Sequence, residues 1–213
     1  MSILGTSRTL IRDMALRRAA NRLGVDVDDL PDEVVMTKVA PGFDATRWGL
    51  PPDAEITAAR LVDPVIAAVV RAADAGNWLP AAELLVTAHG DRRTHAVGEL
   101  ARLAADDDGW LTAWREARPG DGDAAVVHAE SLVRLAWQIR GSARADATTR
   151  EQFDGFHRVI ASAETAARSA ALLLPADPTP WVTRITAARA LGYDRGRFRD
   201  VWDELVARDP HHL

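Results

Sequence analysis

The chain has 213 residues, 47% hydrophobic and 27% charged, with a formal net charge of -5. That is the make-up of an ordinary globular protein long enough to bury a substantial core, with no global basic field to hold nucleic acid. Cysteine is absent, which excludes disulfides, thiol catalysis and cysteine-ligated zinc and agrees with a cytoplasmic setting. No apolar run reaches the ~18 residues of a membrane span, and no apolar core with a small-residue cleavage site opens the chain, so neither membrane insertion nor a signal peptide is expected.

Helical periodicity dominates, and strand-type alternation bounded by turns is scarce. A first helix is expected from about Thr6 to Leu23, capped by Thr6 or Ser7 and stopped at Gly24. It is basic, with Arg8, Arg12, Arg17, Arg18 and Arg22, and the segment after it is acidic, with Asp26, Asp28, Asp29, Asp32 and Glu33. Mutual pairing of the two blocks and contact with an acidic partner are both open readings. From 25 to 53 the sequence is irregular: Val34–Met36 reads as a short extended piece, Pro41-Gly42 as a turn, and Pro51-Pro52 blocks a helix.

Paired helices follow. A helix over 54–62 leads to Asp63-Pro64, a cap followed by a proline suited to the first helical position. Val65–Asp74 is apolar on most sides, Ala75-Gly76-Asn77-Trp78 turns the chain, and a second helix carries Ala81, Ala82, Leu84 and Leu85. The next pair is expected at 92–105 and 109–117. Asp106-Asp107-Asp108-Gly109 between them reads as a capping turn, because the alternating oxygen ligands and closing Glu of a calcium loop are missing. A longer pair is expected at 123–140, capped by Asp123, and at 151–174, where Thr149 and Gln152 have capping-box spacing. The last pair covers 181–191 and 196–207.

The clearest pattern in this series is Pro175, Trp181, Leu191-Gly192, Phe198, Trp202, Leu205 and Pro210. With Ala163, Ala167 and Ala170 it resembles tetratricopeptide repeats. Through Ala75-Gly76-Asn77-Trp78, Trp110 to Trp114, Leu135 to Trp137 with Arg140-Gly141, and Asp177 to Trp181, the wider chain resembles a family of uncharacterised helical-repeat proteins from high-GC bacteria. The resemblance covers roughly 62–210. It implies an all-α fold of antiparallel hairpins stacked as a short right-handed solenoid, and a concave groove that binds a peptide or protein. The domains expected are 1–60, a helix with an irregular wrapping segment, and 61–213, the helical-repeat unit. A hairpin of this kind cannot bury its apolar face alone and must stack on neighbours. The third hairpin is longer than the ~34-residue repeat.

Seven tryptophans stand out against one tyrosine and four phenylalanines. Trp78, Trp181 and Trp202 read as packing residues. Trp110 and Trp114, one turn apart, with Trp137 on the following helix, read either as core or as a ligand floor, since aromatics are enriched at binding hot spots. Arg134, Arg140, Arg184 and Arg189 are the groove candidates, Arg being suited to bidentate carboxylate recognition. On that reading, replacing Arg184 and Arg189 by Ala abolishes partner capture without lowering thermal stability.

Catalytic motifs are otherwise missing: there is no phosphate loop, nucleophile elbow or metalloprotease signature. The alternative function is an enzyme or enzyme subunit using His128, Glu130 and His157, between the long third hairpin and the N-terminal segment. His128 and Glu130, two apart on a helix, do not share a face, so no metal site is expected from them. His89 and His95 read as solvated loop residues, and His211-His212 as tail. No cofactor is expected. A homodimer through the last helix, which has Val201, Trp202 and Leu205 to hide, is a third reading.

Overall fold

Asp63-Pro64 starts a helix as its chemistry dictates. The Asp63 carboxylate accepts the Val65 N–H at 2.8 Å, and Pro64 occupies the first helical turn. The computed structural model describes residues 16–27, 30, 34, 45–49, 51, 55, 63–141 and 147–211. The chain divides into two compact units, Met1–Arg60 and Leu61–Leu213.

In the first unit residues 16–23 are helical, and Gly24 ends them at φ +69° while the Val25 N–H reaches back to the Ala20 carbonyl at 3.2 Å. A short 3₁₀ turn covers Ala45–Trp48. Arg17, Arg18 and Arg22 are exposed. Val34 is helical, against the extended piece expected over Val34–Met36, whose other two residues lie outside the described residues. The expected start of the first helix, the Pro41-Gly42 turn, most of the helix over 54–62 and most of the acidic block also lie outside them.

Among the described residues the second unit holds eight α-helices: α1 (Pro64–Asp74), α2 (Leu79–Thr87), α3 (Gly90–Asp106), α4 (Gly109–Ala117), α5 (Gly122–Arg140), α6 (Arg150–Leu173), α7 (Thr179–Ala190) and α8 (Arg195–Arg208). Helix is the only regular structure among the described residues, so the fold is all-α. Consecutive helices pack in pairs, α1 on α2, α3 on α4, α5 on α6 and α7 on α8, and the first helices of successive pairs touch as well, α1 on α3, α3 on α5 and α5 on α7. Contacts of α1 with α4 and of α2 with α5 reach across the pairs and close the first half into one core.

Several boundaries move by a residue or two for identifiable reasons. Asp121, not Asp123, caps α5: its carboxylate accepts the N–H groups of Asp123 and Ala124 at 3.0 and 3.2 Å. Its other oxygen takes the indole N–H of Trp114 at 3.0 Å, so one side chain both starts α5 and anchors α4. The Thr149–Gln152 capping box has both halves, at 3.2 and 2.9 Å. The triple-Asp stretch is a turn in which Asp107 accepts the Gly109 N–H at 3.0 Å. α3 begins at Gly90, which brings His95 inside the helix and half-buried, while His89 stays exposed at its N-terminus; the loop expected over both residues is shorter than the sequence suggested. α1 is not apolar all round: Ile66, Val69 and Ala73 are buried, but Val65 is half-exposed.

Two apolar cores result. The first joins α1 to α5 around Ile66, Leu85, Leu100, Leu111 and Trp114, with Trp78 stacked on Trp114 at 5.8 Å between centroids. The second lies between α5, α6 and α7 and contains Val133, Ala136, Phe156, Ile160, Ala163 and Ala187. Glycines set the approach of α5 to α6. A methyl group on Gly122 would fall 2.5 Å from Leu174 Cγ, and one on Gly155 would fall 2.9 Å from Ile139 Cγ2. The two contacts also fix an antiparallel register, start of α5 against end of α6 and the reverse.

Candidate functional site

The sequence-derived candidates separate into buried structural residues and a small exposed group. Trp110 and Trp114 are 5% and 0% exposed, so they are core and not a ligand floor. The reason is register: both fall on the face of α4 turned toward α1 and α5, where Trp114 stacks on Trp78 and is hydrogen-bonded to Asp121.

Arg184 is also structural. It makes an ion pair at 3.4 Å with Glu164, a carboxylate 4% exposed that also accepts the Tyr193 hydroxyl at 3.1 Å and pairs with Arg168 at 3.0 Å. The Arg184 guanidinium lies 4.3 Å from the Trp181 ring centroid, and Arg208 lies 4.4 Å from it. Arg208 in turn donates to the Pro175 carbonyl at 2.7 Å. The Pro175–Trp181 pattern is thus the clasp that holds α8 on α7. Removing Arg184 leaves Glu164 short of one partner, so the expectation that Arg184→Ala leaves stability untouched is withdrawn. Arg189 is exposed near the end of α7. Trp202, expected to pack, is 40% exposed, because Val201 and Leu205 on the inner face of α8 already fill the space against its neighbours.

His128 and Glu130 face opposite sides of α5. Glu130 points to α7, accepting the Thr183 hydroxyl at 3.1 Å and pairing with Arg134 at 3.4 Å. Burial raises its pKa above the ordinary carboxylate value, and Arg134 and Thr183 offset part of that. His128 faces α6 and Arg115, and its pKa is lowered, first by burial and then by the Arg115 charge, with Asp108 acting in the other sense. The α5–α6 register places His128 opposite Ala166–Arg168, so His157 lies roughly 15 Å further along α6. The three residues of the enzyme reading are therefore not assembled. No group of three or more His, Asp or Glu side chains suited to a metal ion occurs among the described residues.

What the structure does bring together is an outer face of the long pair. A groove of about 640 Å³ is lined by Ala125, His128 and Leu132 of α5, by Ala161, Thr165 and Ser169 of α6, and by Arg115 at the end of α4. Small side chains keep it open. The Ser162, Thr165 and Ser169 hydroxyls donate to their own helix at 3.2, 3.0 and 3.3 Å, leaving only oxygen lone pairs toward the groove. Neither the His128 ring nor the Arg115 guanidinium has a hydrogen-bond partner among the described residues.

On α6 a ridge at four-residue spacing, Phe153, His157, Ala161, Thr165 and Ser169, winds about 160° around the helix over about 24 Å, so Phe153 lies on a different face from the groove residues. Its aromatic end meets two sequence candidates. Phe153 stacks on His157 at 6.3 Å, Arg140 lies 6.0 Å from the Phe153 ring and 5.4 Å from Trp137, and Trp137 packs edge-on against Phe156 at 4.9 Å. Trp137 remains 46% exposed. Nothing in the local sequence pattern marks Phe153, Phe156 or Arg115.

Comparison with family models, curated proteins and solved structures finds no match to the chain. No described helix is long and apolar enough to cross a membrane.

Proposed function

We propose that this chain is a helical-repeat scaffold that binds a peptide or protein segment along the α5–α6 face. The observation that carries this reading is that the long pair has both an open groove and an exposed tryptophan: Ala161 and Thr165 line the groove with His128, and Trp137 is 46% exposed beside Arg140. An aromatic or aliphatic anchor of the partner would rest on Trp137 and Phe153, and acidic groups would meet Arg140 and Arg115.

The same reading assigns the four pairs to a short right-handed solenoid of tetratricopeptide-like hairpins, related to the helical-repeat family that the sequence resembles. The sequential pairing and the contacts between first helices support it. The long pair is then the hairpin adapted for binding, its extra length extending past its neighbours.

Selection of random displayed peptides on the full chain tests this, run in parallel on the wild type and on Ala161→Arg, an exposed position where a long side chain fills the groove. Sequences enriched on the wild type and not retained by the variant are expected. The same set enriched on both proteins would remove the groove from the account.

The outer face of α8 favours a second reading, self-association. Trp202 and Val206 are 40% and 37% exposed, and Arg195, Phe198, Arg199 and Trp202 border a hollow of about 360 Å³. Concentration-dependent sedimentation that Trp202→Glu abolishes is the expected outcome of that reading; a monomer at every concentration would end it.

A further inference from the structure

Away from the groove, a cavity of about 520 Å³ opens where the end of α2, the first turns of α3, α5 and α7 and the end of α6 meet. Its floor is an Arg flanked by two carboxylates. Arg93 donates to Asp177 Oδ2 through Nε at 2.9 Å and Nη2 at 2.6 Å, to Asp123 Oδ1 at 2.6 Å and to the Leu85 carbonyl at 2.6 Å. Asp177 Oδ1 is taken by the Thr179 N–H and hydroxyl at 2.9 and 2.7 Å. The three side chains are 12%, 14% and 10% exposed for Arg93, Asp123 and Asp177. Two carboxylates against one guanidinium leave the floor with one net negative charge. Asp123 Oδ2 has no hydrogen-bond partner among the described residues, and Asp123 lines the cavity.

The walls are apolar: Val86, Leu173, Leu174, Pro175 and Pro178. Around the mouth the apolar surface continues outward, with Val86 70% exposed, Leu172 84% and Leu173 45%. These are large apolar side chains left in water close together in the sequence and the fold.

We propose that this cavity receives a lysine or arginine side chain projecting from a partner protein, with Asp123 Oδ2 accepting its charged N–H and the apolar walls covering its methylene stem. The side chains favour a cation over an anion, because the guanidinium of Arg93 is already engaged by Asp123 and Asp177 while Asp123 Oδ2 is left to accept; the positive ends of α3, α5 and α7 act in the other sense. Geometry favours a cationic group on an aliphatic stem, because Asp123 and the apolar residues Val86, Leu173 and Leu174 line the same cavity. The rim decides for a protein as its source: Val86, Leu172 and Leu173 extend beyond the reach of a free amine and offer contact area to residues flanking the cation. The site uses none of the groove residues and stands independently of the groove reading.

The test is fluorescence anisotropy with the full chain and two labelled, acetylated and amidated pentapeptides, Ala-Leu-Lys-Leu-Ala and the same peptide with norleucine in place of lysine. A charge-assisted hydrogen bond corresponds to about a tenfold or greater preference for the lysine peptide. Asp123→Asn, which keeps an oxygen for Arg93 but removes the anion, is expected to abolish that preference. Leu172→Ser, at an exposed position where folding is not at issue, is expected to weaken both peptides and leave their ratio unchanged. Free butylamine at the concentration that half-saturates the lysine peptide is expected not to displace it. Equal binding of the two peptides, no binding of either, a preference that survives Asp123→Asn, or displacement by butylamine would each overturn the proposal.

Discussion

Trp114 and Trp137 sit in successive helices and carry the same side chain, yet they serve opposite ends of the physical account. Trp114 has no exposed surface, stacks on Trp78 and gives its N–H to the residue that caps the next helix. Trp137 keeps 46% of its surface in water, held edge-on by Phe156 and flanked by Arg140. The difference comes from register alone. One residue falls on the inward face of a short helix enclosed by α1 and α5, the other near the free end of the long hairpin. A rich tryptophan content therefore divides into indoles that hold the first core and an indole left available for contact.

Substitution by alanine sharpens this contrast most. Trp114→Ala removes a fully buried indole, uncovers one face of Trp78 and leaves Asp121 Oδ2 with only the Arg118 guanidinium at 3.8 Å, so a loss of about 3–5 kcal/mol in urea unfolding is expected. Trp137→Ala gives up only a partly buried ring, and a loss below about 1 kcal/mol is expected on the same measurement. Equal losses would mean that the two indoles do not differ in role.

A second, smaller effect is expected where α5 and α6 approach most closely. A methyl at Gly122 meets the Leu174 side chain at 2.5 Å. Gly122→Ala is therefore expected to cost about 1–3 kcal/mol through overpacking, despite the higher helix propensity of alanine. Gly98→Ala meets only the end of the flexible Arg134 side chain, at 3.1 Å, and should be milder. A calorimetric scan that ranks the two variants the other way would contradict the register given for the long pair.

The smallest expected effect is one of pH. Burial and Arg115 depress the pKa of His128 below its unfolded value. The unfolded chain thus binds more protons, and this residue's contribution falls as pH drops from neutral through the unfolded pKa of about 6.5 toward the folded one. Glu130 acts in the opposite sense, since its raised pKa favours the folded state as pH falls toward the carboxylate range. His128→Gln is expected to flatten the loss of stability between neutral pH and about 6, where His titrates before Glu. An unchanged slope in denaturant titrations across that interval would show that His128 is as solvated folded as unfolded.

Much of the helical framework was legible in the sequence because its signals are local. Asp63-Pro64, Thr149 with Gln152, and the Gly76 and Gly192 turns each act within a few residues, and each stands where the sequence placed it. The Asp121 cap was assigned to Asp123 because both are acidic and both precede apolar residues; only the indole of Trp114, a tertiary partner, distinguishes them. The side-chain roles were less legible. Whether Arg184 lines a groove or closes on Glu164 depends on what lies across the interface, and helical spacing carries no such information. Arg93 passed unnoticed for the same reason, since its partners stand 30 and 84 residues away. The groove residues of α6 were not legible either, because Ala161, Thr165 and Ser169 are small and look the same as the alanine-rich background.

The central claim, that the exposed face of the long hairpin is the binding surface, is tested most directly by the dissociation constant of a peptide selected on the wild type, measured for the wild type and for Trp137→Ala. A hot-spot loss of about 2 kcal/mol, close to thirtyfold, with an unchanged urea midpoint is the predicted result. An unchanged dissociation constant in a folded Trp137→Ala protein would contradict it.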